Sequence, residues 1–205
     1  MAVLQVEILE FWHAGSSRGS GVAADASCLR DRDGLPYLPG RHLKGLVRDA
    51  VDRCPLVEGR VAGKKAEQVL EALFGSRGVV HDSKRKEPEI EERTARGALA
   101  FGNAVLPEAL RFELRHGEKR LVPHLFTGLS QTAVEHGTGV AETRSLRRTE
   151  VVVPLTLQAT VEWVGAEPES AWPWQAILKD ALPLVMAVGR MRSRGLGRCR
   201  MRLLG

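Results

Sequence analysis

Residues 150–164 alternate with a period of two: Val151, Val153, Leu155, Leu157, Ala159, Val161 and Trp163 fall on one side of an extended chain. Successive side chains of a strand point to opposite faces, so this run commits the chain to a long strand with one buried face. Such a strand needs partners beside it and a layer over it. The rest of the sequence offers both. Residues 2–12 set Leu4, Val6 and Ile8 against Gln5 and Glu7, and residues 97–106 read as another strand. Residues 197–204 turn Cys199, Met201 and Leu203 inward, with Arg198, Arg200 and Arg202 outward. A helical period occurs over 40–53, where Leu43, Leu46, Val47, Ala50 and Val51 recur at i, i+3, i+4, i+7 and i+8. A shorter helix is expected over 64–74, and another over 171–188, opened by Pro173 and kinked at Pro183. Residues 111–115 and 120–125 flank His116-Gly117-Glu118-Lys119 and predict a hairpin.

The order strand, helix, strands, strand, helix, strand predicts an α+β chain: an RRM-like, ferredoxin-like (split βαβ) sheet with helices on one face. With 205 residues, 43% of them hydrophobic, a single domain over 1–205 is expected to build its core without staples. Two stretches fit as insertions. One is 55–96, of which 76–96 is charge-dense and nearly free of large apolar groups; the other is 127–149, polar and rich in Gly, Thr and Arg. Cys28, Cys54 and Cys199 form no CxxC pair, and the six histidines show no HxxxH or HExxH spacing. That argues against structural zinc and a disulfide framework. Without a signal pattern or a membrane-length apolar run, the expected location is cytoplasmic, with no membrane partner.

Chemistry concentrates in basic segments that carry glycine. The formal charge of +5 suggests a polyanion partner, and the placement of the arginines says more than their sum. Residues 189–198 hold three glycines and four arginines, among them Arg190, Arg192 and Arg194. Glycine allows positive φ and close backbone approach, and arginine pairs with phosphate through a two-pronged fork. A second segment, Pro39-Gly40-Arg41-His42-Leu43-Lys44-Gly45, opens the first helix. There Arg41, Lys44 and Arg48 share an arc of about 60°, and the N–H groups near Gly40 could receive a phosphate. A solvated basic face is the alternative for each segment taken alone. A third feature is the small-residue loop 14–24, with Ser16 and Arg18, leading to Asp25, the only carboxylate between Glu10 and Asp31. A lone Asp is a poor base for a ribose hydroxyl, but a reasonable ligand for hydrated Mg²⁺ (or Mn²⁺) held partly by substrate phosphate. A capping or turn role is the alternative. Arg144, Arg147 and Arg148 sit in the polar insertion, and His13 and His42 flank the loop and the basic helix.

The run Asp33-Gly34-Leu35-Pro36-Tyr37-Leu38-Pro39-Gly40-Arg41-His42-Leu43-Lys44-Gly45, together with the terminal glycine-rich loop, resembles the RAMP superfamily of CRISPR effector proteins. Arg41-His42 stand where that family usually carries Ser-Ser. The chain looks most similar to the backbone subunits of type III effectors, which line up along a CRISPR RNA and cut target RNA at regular intervals. The resemblance implies partners: CRISPR RNA, target RNA and other effector subunits. It implies that Asp25 is catalytic and metal-binding. It also implies that residues 127–149 form a thumb hairpin that kinks the guide–target duplex, so that a 2′-hydroxyl lines up against its own phosphate. The implied RNA-binding set is His13, Ser16, Arg18, Arg41, His42, Lys44, Arg48, Arg144, Arg147, Arg148, Arg190, Arg192 and Arg194. Lys44 and Arg194 are expected to act as opposing jaws on one groove.

Four functions compete. The first is a guide-binding subunit that also cleaves target RNA through Asp25 and Mg²⁺. The second is a guide-binding subunit without catalysis. The third is a metal-independent guide-processing endoribonuclease using His13 or His42. The fourth is an RRM-like module that binds an acidic protein.

Overall fold

The computed structural model describes residues 1–15, 27–58, 60–61, 63–76, 95–117, 119–134, 136–140, 145–166 and 172–204. Strands β1 (Ala2–Ile8), β2 (Leu99–Phe101), β5 (Thr156–Trp163) and β6 (Cys199–Leu204) form one sheet in the order β2-β5-β1-β6, antiparallel throughout. Register pairs Leu4 with Ala159 on one side and Leu203 on the other, and Val6 with Leu157 and Met201. Alternation therefore stacks one apolar face across three strands. Helices α1 (Gly40–Asp52) and α4 (Trp174–Ala181) cover that face. From α1 come Leu43, Leu46, Val47, Ala50 and Val51, the residues its period selects, all buried. Each large aliphatic side chain fully removed from water contributes about 1.5–3 kcal/mol. The opposite face carries Gln5, Glu7, Gln158, Arg200 and Arg202, with Arg202 Nη2 at 3.4 Å from Glu7 Oε2.

The long alternating run is not one strand. It divides at Pro154: Arg147–Val152 forms β4, which pairs antiparallel with β3 (Phe126–Gln131) in a separate two-stranded sheet, and β5 begins at Thr156. Proline has no N–H to donate to a ladder, so pairing passes from one sheet to the other across it. The hairpin expected at 111–125 is also corrected. Residues Glu108–His116 form helix α3, and Lys119–Leu125 a 3₁₀ turn. Pro107 sets the entry to α3, and Arg111 and Leu114, three apart, face inward. Arg111 is only 9% exposed, and its guanidinium meets Asp31 Oδ2 at 2.9 Å and Asp33 Oδ2 at 3.1 Å. Asp31 Oδ1 also accepts the N–H groups of Asp33 and Leu35, closing the turn that Gly34 completes at φ +79°. The last helix ends at Ala181, where the 3₁₀ turn Leu182–Leu184 takes in Pro183. Within 55–96, helix α2 (Ala66–Phe74) buries Val69, Leu70, Leu73 and Phe74 in the main core, and residues 77–94 lie outside the described residues.

Candidate nucleic-acid interface

The glycine-rich loop leaves the core at Val188 and returns at Gly197. Its base is fixed by backbone bonds: Val188 N to Gly197 O at 2.8 Å, Gly197 N to Phe11 O at 2.8 Å, and Arg190 N to His13 O at 3.0 Å. Gly189, Met191, Gly195 and Gly197 all hold positive φ, between +61° and +83°. For Met191 that conformation costs about 1–2 kcal/mol, so the surrounding loop must impose it. The chain then makes a 3₁₀ turn over Arg192–Arg194, with Arg192, Ser193 and Arg194 all exposed. An open cavity of about 660 Å³ separates this loop from α1, lined among others by Leu46, Arg53, Met186, Arg190 and Arg192.

Helix α1 meets the loop through His42, whose Nε2 accepts the Gly189 N–H at 3.0 Å. Lys44 lies about 200° further round the helix, and its Nζ donates to Leu99 O at 3.1 Å. Burial, then Arg48 and Arg96 beside it, lowers its pKa. Lys44 and Arg48 thus face the β2 side, and the expected pairing of Lys44 with Arg194 as jaws of one groove is corrected. Apolar burial of Leu43, Leu46 and Val47 sets the helix rotation, and that rotation sends the two basic surfaces apart. Arg41 is exposed on the first turn. The N–H of Gly40 donates to Asn103 Oδ1 at 2.9 Å, so it is not open to a phosphate. Glycine is required there because a Cβ would collide with the carbonyl of Phe101.

His13 is 1% exposed, which removes it from direct contact with RNA or a scissile bond. Its Nδ1–H donates to Glu150 O at 2.9 Å, on β4, and its Nε2 is buried with no hydrogen-bond partner among the described residues. The arginines of β4, Arg147 and Arg148, are exposed, with Arg148 lying across Gly128 of β3. Asp25, Ser16, Arg18 and Arg144 fall outside the described residues. The node that sequence reasoning missed is Glu150, with Cys28 and Arg30. Glu150 Oε2 accepts the Cys28 N–H at 2.8 Å, and its Oε1 accepts Arg30 Nη2 at 2.6 Å. These partners are 122 and 120 residues away in sequence, where no periodicity can reveal them. Among the described residues no three His, Cys, Asp or Glu side chains gather to hold a metal ion.

Both histidines predict the same pH response. Burial lowers the pKa of His13, and burial followed by the nearby Arg192 lowers that of His42, each from an ordinary value of 6.5. Protonating His42 Nε2 would turn the acceptor of the Gly189 N–H into a donor. A folded-state pKa below the unfolded one means that stability is complete above about 6.5 and is lost as pH falls through the lowered values. The urea midpoint should therefore hold steady from pH 8 to 7 and decline toward pH 5. His42→Gln keeps an acceptor for Gly189 without a titrating group, and should make that decline shallower.

The profile of the RAMP superfamily matches residues 5–200. The chain belongs to the RAMP superfamily. No curated protein is matched by sequence. Among solved structures, this RAMP chain is similar to a chain in the cryo-EM structure of the type III-B Cmr-beta complex bound to cognate target RNA. There the TM-score is 0.64 and the identity 11%, covering 98% of this chain and 96% of that one. It is also similar to a chain in the apo state of that complex, with a TM-score of 0.61 and 12% identity, covering 99% and 96%. At these identities the likeness concerns the fold. No helix among the described residues is long and apolar enough to cross a membrane.

Proposed function

We propose that this RAMP chain is a CRISPR RNA-binding backbone subunit of a type III effector, working beside other effector subunits on a target RNA. The observation that carries this reading is the glycine-rich loop of a RAMP domain, held at its base by His13 and His42 and presenting Arg192 and Arg194 to solvent. A guide of any sequence must be gripped by phosphate and sugar, and exposed guanidinium groups on a fixed turn suit that task. The sheet order, with two strand–helix–strand units interleaved antiparallel, supports an RRM-like, split βαβ assignment. The β3–β4 hairpin supports the thumb assignment for 127–149, with Arg147 and Arg148 on its surface.

We further propose that Asp25 helps cleave target RNA by attack of a 2′-hydroxyl on the adjacent phosphate. Mg²⁺ held by Asp25 and RNA phosphate oxygens would stabilise charge at the reacting phosphate. The protein's own contribution is positioning: the loop and the hairpin fix the strand so that one step departs from A-form geometry. The O2′–P bond forms as the P–O5′ bond breaks, so the products are a 2′,3′-cyclic phosphate and a 5′-hydroxyl end, the 2′-hydroxyl losing a proton and the leaving 5′-oxygen gaining one. A processing role for His13 loses support from its burial.

Guide binding is tested by Arg192→Ala and Arg194→Ala. Each should weaken binding of every guide sequence alike and reduce the slope of log affinity against log salt by about 1. Filter-binding titrations at three salt concentrations decide it. Binding that ignores both mutations and salt would instead favour an acidic-protein partner.

A further inference from the structure

Glu150, on β4, lies where the segments 12–15 and 27–30 meet the β3–β4 hairpin; Trp12 and Val152 already pair there, Trp12 N with Val152 O at 3.1 Å and Val152 N with Trp12 O at 2.7 Å. Its two carboxylate oxygens are used by one segment: Oε2 accepts the Cys28 N–H at 2.8 Å and Oε1 accepts Arg30 Nη2 at 2.6 Å. Its carbonyl oxygen accepts His13 Nδ1–H at 2.9 Å from the segment 12–15 and Cys28 Sγ–H at 3.3 Å from the segment 27–30. His13 in turn accepts the N–H of Arg190, at the start of the glycine-rich turn, and the Arg190 stem lies across Gly15. Leu29 N bonds Ala14 O at 2.7 Å, and Gly15 bridges Cys28, so the two chain segments around 16–26 are tied to each other as well. Arg30 is held a second time, its guanidinium 3.6 Å above the Phe126 ring on β3. A carboxylate with one oxygen on a backbone N–H and the other on a guanidinium makes two charge-assisted bonds, the strong kind.

We propose that Glu150 is a positioning residue: its carboxylate clamps the segment from Cys28 to Arg30 in fixed register with the β3–β4 hairpin, beside a preceding segment that backbone bonds already hold to β4.

Cys28 is a built-in reporter. Its thiol is buried, and burial pushes its pKa up to about 12, so it resists alkylation while the clamp is closed. Cys54 and Cys199, also buried, are internal controls on the same chain. In Glu150→Ala, iodoacetamide labelling of Cys28 followed by peptide mass spectrometry should speed up about tenfold, because local opening then controls access. Cys54 and Cys199 should keep their wild-type rates. Glu150→Gln, which retains an acceptor for the Cys28 N–H, should restore most of the protection. Cys28 labelling unchanged within about twofold, or all three thiols speeding up together, would overturn the clamp.

Discussion

Asp25→Ala, in an effector assembled with its guide, should slow target RNA cleavage by about 10²–10³-fold or more, the scale of losing one group that stabilises developing charge. Binding of guide and target should stay within about twofold, because phosphate contacts by arginine and lysine supply that affinity. The split between rate and affinity is the informative part. A carboxylate that lines an RNA path repels phosphate unless a cation stands between them, so removing it costs no affinity through lost attraction. Asp25→Asn should be as inactive as the alanine variant, having lost the charge but not the shape. A target with a single 2′-deoxy nucleotide at the scissile step should bind and resist, since the nucleophile is gone. Denaturing gels of an end-labelled target, with binding measured on the same samples, check all three. Wild-type cleavage by both Asp25 variants would leave the chain as a guide-binding subunit without catalysis.

The fold was legible where pattern and packing agree. The period-two runs 2–12, 150–164 and 197–204 contain three strands of one sheet, Ala2–Ile8, Thr156–Trp163 and Cys199–Leu204, and the 3.6-residue period of 40–53 gives α1 with the same residues buried. Failures came where a local rule met a long-range one. Alternation through 150–164 ignored that Pro154 cannot donate, so one reading covered two strands in two sheets. At 111–115 a short polar and apolar mixture reads as strand-like, while the half-buried ion pairs of Arg111 with Asp31 and Asp33 belong to a helix. The basic arc of α1 follows from the sequence, yet its direction does not. Rotation of a helix is decided by what its apolar side packs on, and that sent Lys44 to Leu99 and His42 to the glycine loop. Glu150 was invisible for a related reason: its meaning lies in partners more than a hundred residues distant.

The largest stability effect is expected from Gly197→Ala. Gly197 holds φ +73°, a region that costs an L-residue about 1–2 kcal/mol. It is also enclosed: a Cβ would collide with the Val188 carbonyl oxygen, with the Val188 carbonyl carbon only 3.1 Å away. Relief by movement is blocked because the residue uses both backbone groups, its N–H on Phe11 O and its carbonyl under the Val188 N–H, each at 2.8 Å. Shifting the chain would sacrifice those bonds at about 1 kcal/mol each, giving a total near 3–4 kcal/mol. For a chain of this length that corresponds to a fall in Tm of roughly 6–15 °C. Gly195→Ala separates the two causes. Gly195 has nearly the same torsion, φ +83°, but a Cβ there meets nothing within 4 Å, so only the backbone term of about 1–2 kcal/mol applies. Thermal melts of the two variants should differ by at least about 4 °C, with Gly197→Ala the lower. Equal melting temperatures would mean that torsion alone governs the loop and that its close seat on Val188 adds nothing. The difference also bears on binding, since Gly195→Ala leaves the base of the loop intact and should hold guide RNA better than Gly197→Ala at any temperature where both are folded.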